Sequence, residues 1–310
     1  MANQHQIHFK NFFWQNIIKP SQRQMEELRE KHRFHPLDIA DCLKPSQRSK
    51  IDVYPGYLFL VLLFPVYDRK TRELNASELD VFISSNYLIT IHRGDLEVLN
   101  EFFNRFRVTA ALRDHYPDKS PEKLFYELLH KLMFYVFPMI DHLGDDCDNI
   151  ERAIFGGREK QMISEILIIR RNVTDLRKIM QVHKNVLKKA VLNFKADPQY
   201  VMKQSDAYFE SLIDNTKEIW DMLENLKERI EALQQTNESQ ISFRLSHIMR
   251  TLTIISVVTF PVTLLATIFG MNTVHAMPFV DSPFGFWYVI GLMLTLAVSM
   301  LAVFKKKGWM

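Results

Sequence analysis

The chain has 310 residues, a net charge of +3 and only two cysteines. The near-neutral charge does not suggest a nucleic-acid partner, and Cys42 and Cys147 have neither metal-ligand spacing nor an expected disulfide. The first twenty residues lack the basic start and apolar run of a signal peptide, so we expect residues 1–250 to stay in the cytosol.

Residues 1–115 are predicted to form a cytosolic α/β domain. Residues 53–66 and 80–91 are rich in β-branched and aromatic side chains, which predicts two strands. Residues 75–77 and 84–86 contain turn-forming side chains and predict turns.

A helix is predicted over residues 21–32, with Ser21 as its capping residue. Polar side chains that are common metal ligands occur after this helix and near the end of the domain; they are His35, Asp38, Asp41 and His92. A structural role is favoured over a metal site, because nothing in the sequence brings the four together.

Residues 116–196 are predicted to form an antiparallel helical hairpin. Its first helix covers residues 122–155 and is expected to be interrupted or bent near Pro138 and Gly144, and residues 156–157 are the turn. A regular seam of alternating three- and four-residue steps predicts lengthwise helix packing, through Ile166, Ile169, Val173, Leu176, Met180, His183, Leu187, Ala190 and Phe194.

Three acidic residues share one face of the first hairpin helix: Asp141, Asp145 and Asp148. A solvated acidic face is the favoured interpretation. The alternative is a surface that attracts cations.

Residues 197–250 are predicted to be the cytosolic part of a long stalk helix that begins near Gln199. Its apolar rows follow a seven-residue spacing, through Leu212, Ile219, Leu223, Leu226, Ile230 and Leu233. The rows weaken at Asn237 and resume one position out of step, through Ile241, Leu245, Ile248 and Leu252. This shift predicts a change of packing partners.

Two uncharged segments, residues 251–270 and 286–304, have the length that a membrane-spanning helix needs. Lys and Arg flank them at one end, whereas the connecting loop of residues 271–285 has none. The positive-inside rule therefore places the loop outside, and both termini, including the basic tail of residues 305–310, in the cytosol. An inner or plasma membrane is expected.

The first span carries polar and small residues in one stripe, at alternating steps of three and four: Ser246, Met249, Thr253, Ser256, Phe260, Thr263, Thr267 and Gly270. Such a stripe either packs against other helices or faces water. If it lines a pore, several copies must assemble, because one hairpin cannot enclose a channel.

The sequence Gly270-Met271-Asn272 closes the first span and is followed by Met277-Pro278. With residues 249–272 as a whole and residues 305–309, it resembles the CorA family of divalent-cation channels. The resemblance covers most of the chain.

That resemblance implies a homopentamer in a lipid membrane, with the long helix of each subunit around the axis. It implies Mg²⁺ as the transported ion, with Co²⁺ and Ni²⁺ as further substrates, and no other cofactor. Gly270, Met271 and Asn272 correspond to the selectivity filter, and Thr263 to the next ring of oxygens. The remaining pore-lining positions would be Ser246, Met249, Leu252, Ser256, Phe260 and Thr267.

Three positions depart from the family pattern. Ser246 stands where an Asn is frequent, and Asp281 is the one acid left in the outer loop, where it would attract cations. A regulatory carboxylate of the family falls at Gln235, so Glu231 and Glu238, one turn away on either side, are the candidates for regulatory metal binding.

Two alternatives stay open. One is a Zn²⁺ transporter of the same family, although no cluster of Cys or His lies in the spans. The other is a membrane-anchored coiled-coil scaffold or sensor that conducts nothing. An enzyme is not expected, because the sequence has no phosphate-binding loop, nucleophile elbow or HExxH motif.

Overall fold

The computed structural model describes residues 4–44, 48–114, 120–196, 206–271, 278–279 and 282–309. The chain divides into two compact units, Met1–Gln234 and Gln235–Met310.

The elements follow one another in the order expected for an α/β domain succeeded by long helices. The strands are β1 Gln4–His8, β2 Phe13–Ile18, β3 Lys50–Tyr54, β4 Tyr57–Asp68, β5 Glu73–Ser84 and β6 Tyr87–His92. The helices are α1 Gln22–His32, α2 Pro36–Leu43, α3 Glu97–Val108, α4 Ala110–Asp114, α5 Pro121–Phe134, α6 Val136–Phe155, α7 Glu159–Met180, α8 His183–Ala196, α9 Asp206–Phe269 and α10 Gly285–Lys306.

The six strands form one sheet in the order β1-β2-β6-β5-β4-β3. The β2–β6 pair is parallel, and the other neighbours are antiparallel. Side chains of α1 and α2 pack on one face of this sheet. Side chains of α3 and of α5 to α9 belong to the larger core on the other face. Because both faces are covered, β4 is apolar almost throughout instead of alternating.

Three of the expected β features are wrong. The single strand predicted over residues 53–66 is a hairpin of β3 and β4, because Pro55 and Gly56 form a turn in which Gly56 has φ +94°. The turn predicted over residues 75–77 lies inside β5, where Ala76 pairs with Pro65 of β4. The second prediction, over residues 80–91, also divides, into parts of β5 and β6 on either side of the expected turn.

The predicted helix over residues 21–32 is α1, and Ser21 caps it as expected. The Gln24 amide donates to Ser21 Oγ at 3.3 Å, and the Ser21 amide donates to Gln24 Oε1 at 3.0 Å, which is a capping box.

The helix predicted over residues 122–155 is interrupted at Tyr135 rather than at Pro138 or Gly144. Pro138 lies in the first turn of α6, where its missing N–H is tolerated, so the break occurs just before the new helix begins. Gly144 lies within the unbroken part of α6.

The predicted helix seam is confirmed. All nine of its residues, from Ile166 to Phe194, are buried, although the chain turns between α7 and α8 at residues 181–182. α6 and α7 pack against each other as the expected hairpin, in which Ala153 and Met162 lie near the turn and Asp146 and Ile169 lie further from it.

The predicted apolar rows of the stalk helix are buried as far as Leu233. From Glu238 to Phe269 no residue of α9 is buried within the single chain. The change of surroundings therefore falls within one turn of Asn237, where the spacing predicted it. The expected fold class, an α/β domain followed by a helical hairpin, a stalk helix and two C-terminal apolar helices, is confirmed.

Candidate ion pathway

Two helices of the described chain are long and apolar enough to cross a membrane: Tyr208–Phe269 within α9, and Gly285–Lys306, which is α10. The uncharged part of α9 follows Arg250. The most apolar window of each helix is unburied in the single chain. Apolar surface of this extent needs lipid or other protein around it.

One side of each span is partly covered. In α9 the half-buried residues beyond Arg250 recur at helical spacing; they are Ile254, Val258, Pro261, Val262, Leu265 and Phe269. In α10 the half-buried residues form a similar stripe of Val289, Ile290, Met293, Leu296, Ala297, Met300 and Phe304. We infer that these stripes face each other, because α9 and α10 are the two helices described between Gln235 and Trp309.

The polar stripe predicted from the sequence occupies the other side of α9. Every member from Ser246 to Gly270 is exposed in the single chain. With 3.6 residues per turn, the mean direction of the polar stripe lies about 180° from that of the half-buried stripe. The face that would line a pore is therefore the face that α10 leaves uncovered.

The hydroxyl groups of the polar stripe fall into two classes. Thr253 and Thr267 each donate a 2.8 Å hydrogen bond to a carbonyl oxygen of their own helix. In the described part of the chain, no such bond is made by Ser246, Ser256 or Thr263. These three hydroxyls are available to water, an ion or another chain.

The large apolar residues expected to narrow a pore are exposed on the same side. The exposed fractions are 54% for Met249, 56% for Leu252 and 72% for Phe260. α9 continues through Pro261, whose ring belongs to the half-buried side.

The end of α9 reaches the predicted filter. The Gly270 amide donates to the Ala266 carbonyl at 2.9 Å, and a Cβ at Gly270 would lie only 3.1 Å from that oxygen. Glycine therefore relieves crowding at the last turn of the helix. Met271 is exposed. Asn272 and Asp281 lie outside the described residues.

Apolar residues flank the polar stripe on both sides, and one of these flanks was not predicted from the sequence. Ile248 and Ile255 are exposed on one side, and Val257, Leu264 and Ile268 on the other. The seven-residue step from Val257 to Leu264 is the signal that would have identified the second flank.

The two candidate regulatory acids, Glu231 and Glu238, are exposed on α9. Within the described residues, no group of three or more His, Cys, Asp or Glu side chains is placed to hold a metal ion. The acidic face of α6 is partly neutralised, because Arg229 of α9 binds Asp148.

The early His and Asp residues have separate structural roles, as expected. The Nδ1 atom of His35 accepts a 3.3 Å hydrogen bond from the Leu37 amide and caps α2. Asp38 is buried and accepts hydrogen bonds from two tyrosine hydroxyls, at 3.0 Å and 2.9 Å. Asp41 pairs with Lys50 at 2.6 Å, and His92 accepts from the Gly94 amide at 3.0 Å.

Known proteins resemble this chain along most of its length. The cobalt/magnesium transport protein CorA of Thermotoga maritima is 27% identical over 277 residues, covering 89% of this chain and 77% of that protein. The complete structure of the CorA magnesium transporter from Methanocaldococcus jannaschii has a TM-score of 0.80 at 19% identity, and covers 98% of this chain and 94% of that one. The cytoplasmic domain of ZntB from Vibrio parahaemolyticus has a TM-score of 0.61 at 9% identity, and covers 76% of this chain and 90% of that one.

The sequence pattern of one family accounts for nearly all of the chain. The family of CorA-like Mg²⁺ transporter proteins matches residues 9–306, which include strands β2 to β6, the hairpin, the stalk helix and both spans. This protein therefore belongs to the CorA-like Mg²⁺ transporter family.

Proposed function

We propose that five copies of this protein assemble in a membrane around a pore that carries Mg²⁺ into the cytosol, with Co²⁺ and Ni²⁺ as further substrates. Family membership and the cobalt/magnesium transport activity named for the Thermotoga relative support the cargo. The positive-inside rule supports an orientation with both termini in the cytosol.

The observation that carries the proposal is the position of the polar stripe on α9. It lies opposite the half-buried side, so α10 can surround the assembly while the hydroxyls of α9 face a common axis. A hydroxyl that faces lipid finds no hydrogen-bond partner there. A hydroxyl that faces a water-filled path can bind a passing ion or its water shell.

The apolar flanks explain how copies would close a ring. Each copy presents Ile248 and Ile255 on one side of the stripe, and Val257, Leu264 and Ile268 on the other. Because the two flanks differ, contact between neighbours is head-to-tail, and such contacts form a ring when the rotation from copy to copy closes.

The filter is assigned to Asn272, supported by Gly270 and Met271, at the outer mouth. Mg²⁺ loses its water shell reluctantly, so a ring of neutral amide oxygens suits the hydrated ion and releases it more readily than carboxylates would. Asp281 in the same loop would raise the local concentration of cations.

Further in, Thr263 supplies the next ring of oxygens, followed by Ser256, with Ser246 at the inner end. Met249, Leu252 and Phe260 form apolar constrictions between the polar rings, and apolar constrictions can close a pore by excluding water. Thr267 lies between Thr263 and the filter.

Glu231 and Glu238 are proposed as weak regulatory ligands for cytosolic Mg²⁺. Each copy supplies only these two acids in place of the carboxylate expected at Gln235. A complete oxygen shell would therefore have to come from water and neighbouring copies.

Zinc as the cargo has less support. The two spans contain neither Cys nor His, the side chains that bind Zn²⁺ selectively. The likeness to ZntB is at 9% identity and concerns the fold of the cytoplasmic domain.

Mg²⁺ entry into liposomes tests the proposal. Liposomes holding the purified protein and a Mg²⁺-sensitive dye are given external Mg²⁺, with Co²⁺ or Zn²⁺ as competitor. We expect the wild type to admit Mg²⁺. Asn272→Ala should reduce this entry at least tenfold, and the matched surface variant Asn185→Ala should leave it unchanged. Entry indifferent to Asn272 would remove the filter assignment. A folded oligomer that admits no Mg²⁺ would favour the scaffold, and preferential Zn²⁺ entry would favour a zinc transporter.

A further inference from the structure

α10 ends in a tight C-terminal motif that fixes the backbone of three lysines. The Trp309 amide donates to the Phe304 carbonyl at 3.0 Å and the Gly308 amide donates to the Lys305 carbonyl at 3.1 Å, with Gly308 at φ +68°. This is the bond pattern of a Schellman motif, and the Trp309 ring stacks on Phe304 at 5.7 Å, as its apolar contact requires.

Because of this motif, the lysine side chains are not needed to cap the carbonyl groups at the end of α10. Backbone amides satisfy carbonyls of the last turn, including that of Val303, which accepts from the Lys307 amide at 3.0 Å. Lys305, Lys306 and Lys307 are exposed, and they point in three directions around the helix at about 100° steps.

The same membrane level carries basic residues of α9. Phe269 and Gly285 are the ends of the two helices at the loop, and Arg250 and Phe304 each lie nineteen residues from them. At 1.5 Å per residue this is about 28 Å, close to the hydrocarbon thickness of a bilayer. By this count Arg250 lies at about the same depth as the first of the three lysines, and His247 lies one turn beyond Arg250.

At this end of the two spans, residues 239–310 supply no acidic partner for the basic side chains. From residue 239 to residue 310 the sequence contains a single acid, Asp281, in the loop at the opposite end of the spans. In the described part of the unit, no ion pair is seen for Arg250 or for the three lysines. Their counter-ions have to come from outside residues 239–310.

We propose that Arg250, Lys305, Lys306 and Lys307 form a binding site for the headgroups of anionic phospholipids, with Trp309 as its interfacial anchor. The charges lie where lipid phosphates lie, and an indole ring is suited to the same layer. The proposal requires the spans to be in a membrane, but it does not require conduction, so it stands apart from the proposed channel.

Unfolding temperature measures the binding. The purified full chain, in an uncharged detergent, is titrated with phosphatidylglycerol, phosphatidylcholine or water-soluble glycerol 3-phosphate, and its tryptophan fluorescence is followed on heating. Phosphatidylglycerol is expected to raise the unfolding temperature by several degrees, and the other two additives are not.

The variant K305Q/K306Q/K307Q is expected to need at least ten times more phosphatidylglycerol for the same shift, because each basic residue near an anionic surface contributes roughly fivefold in affinity. The matched control K160Q/K188Q/K217Q removes three exposed lysines of the other unit and should respond as the wild type does. If the glutamine variant fails to fold, K305R/K306R/K307R must keep the response and Lys306→Gln must weaken it.

An equal response of the glutamine variant and the wild type would overturn the proposal. Equal stabilisation by glycerol 3-phosphate would also overturn it, since the site would then bind free anions rather than lipid. Equal stabilisation by phosphatidylcholine would show that charge is not recognised.

Discussion

At the scale of single residues, His183 is a titratable group enclosed in the core of the first unit. It is fully buried at the start of α8, with its ring edge-to-face against Phe64 at 5.2 Å. Burial lowers the pKa of His183 to about 4 from 6.5, and nearby backbone carbonyls offset only part of this shift. The folded protein therefore holds this imidazole neutral at physiological pH.

This pKa predicts a loss of stability in acid. Well above pH 6.5 the imidazole is neutral in both states. As the pH falls through 6.5 toward 4, the unfolded chain binds a proton and the folded chain does not. The loss amounts to about 3 kcal/mol at most. Between pH 7.5 and pH 5, the unfolding temperature of His183→Leu should therefore fall less than that of the wild type. His142→Leu, on the surface, should behave as wild type. An unchanged pH slope in His183→Leu would contradict the assignment.

Asn172 joins α7 to the sheet through both ends of its amide. Its Oδ1 accepts from the Leu74 amide at 3.3 Å, its Nδ2 donates to the Arg72 carbonyl at 3.0 Å, and the residue is buried. Asn172→Leu removes both bonds and should lower the free energy of unfolding by about 2 kcal/mol. Asn185→Leu, on the exposed side of α8, is the control. Equal thermal unfolding of the two variants would rule out this role for Asn172.

The sequence predicted some of these residues and not others. The helix seam placed His183 in the core, because its neighbours recur at a fixed local spacing. The role of Asn172 depends on Arg72, one hundred positions away in the chain, and no local pattern reports such a pairing.

At the scale of elements, the polar stripe of α9 carries two kinds of hydroxyl. Thr267 donates its hydroxyl to its own helix, whereas Thr263 has no such bond. Thr263→Val should therefore reduce Mg²⁺ entry several-fold in the liposome assay, and Thr267→Val should reduce it less, because its hydroxyl is already engaged. Thr295→Val, which removes the same group from α10, should leave entry unchanged. A larger effect at Thr267 than at Thr263 would contradict this ranking.

Element boundaries show where local signals are overruled. The turn at Gly56 follows from glycine chemistry, yet the apolar character of residues 53–66 concealed it. The turn-forming residues 75–77 became part of β5, because pairing with β4 outweighs their local preference. Pro138 was recognised as a helix breaker, but its position in the first turn moved the break to Tyr135.

At the scale of the whole molecule, the order of the domains and helices along the chain was predictable from the sequence. The assembly of several copies was not. Span length and the short filter motif pointed to the family, which the match over residues 9–306 confirms. The shift near Asn237 anticipated the division at Gln234, because helix spacing records which side is covered. Residues of α9 beyond Glu238 are unburied in one chain, so the partners of their large apolar side chains have to be lipid, α10 or other copies.

Cysteine accessibility along α9 tests the central claim most directly. Cys42 and Cys147 are buried, so single added cysteines can be labelled over a low background. Cysteines are placed on the polar stripe and on the half-buried stripe, at Ser256, Phe260 and Thr263, and at Val258, Val262 and Leu265. A small water-soluble thiol reagent is then applied to protein in liposomes at low Mg²⁺.

We predict that the first three positions react and that labelling at Thr263 blocks Mg²⁺ entry, while the second three stay unlabelled. Reaction of the half-buried stripe instead, or equal reaction of all six positions without any effect on entry, would contradict a pore lined by this face of α9.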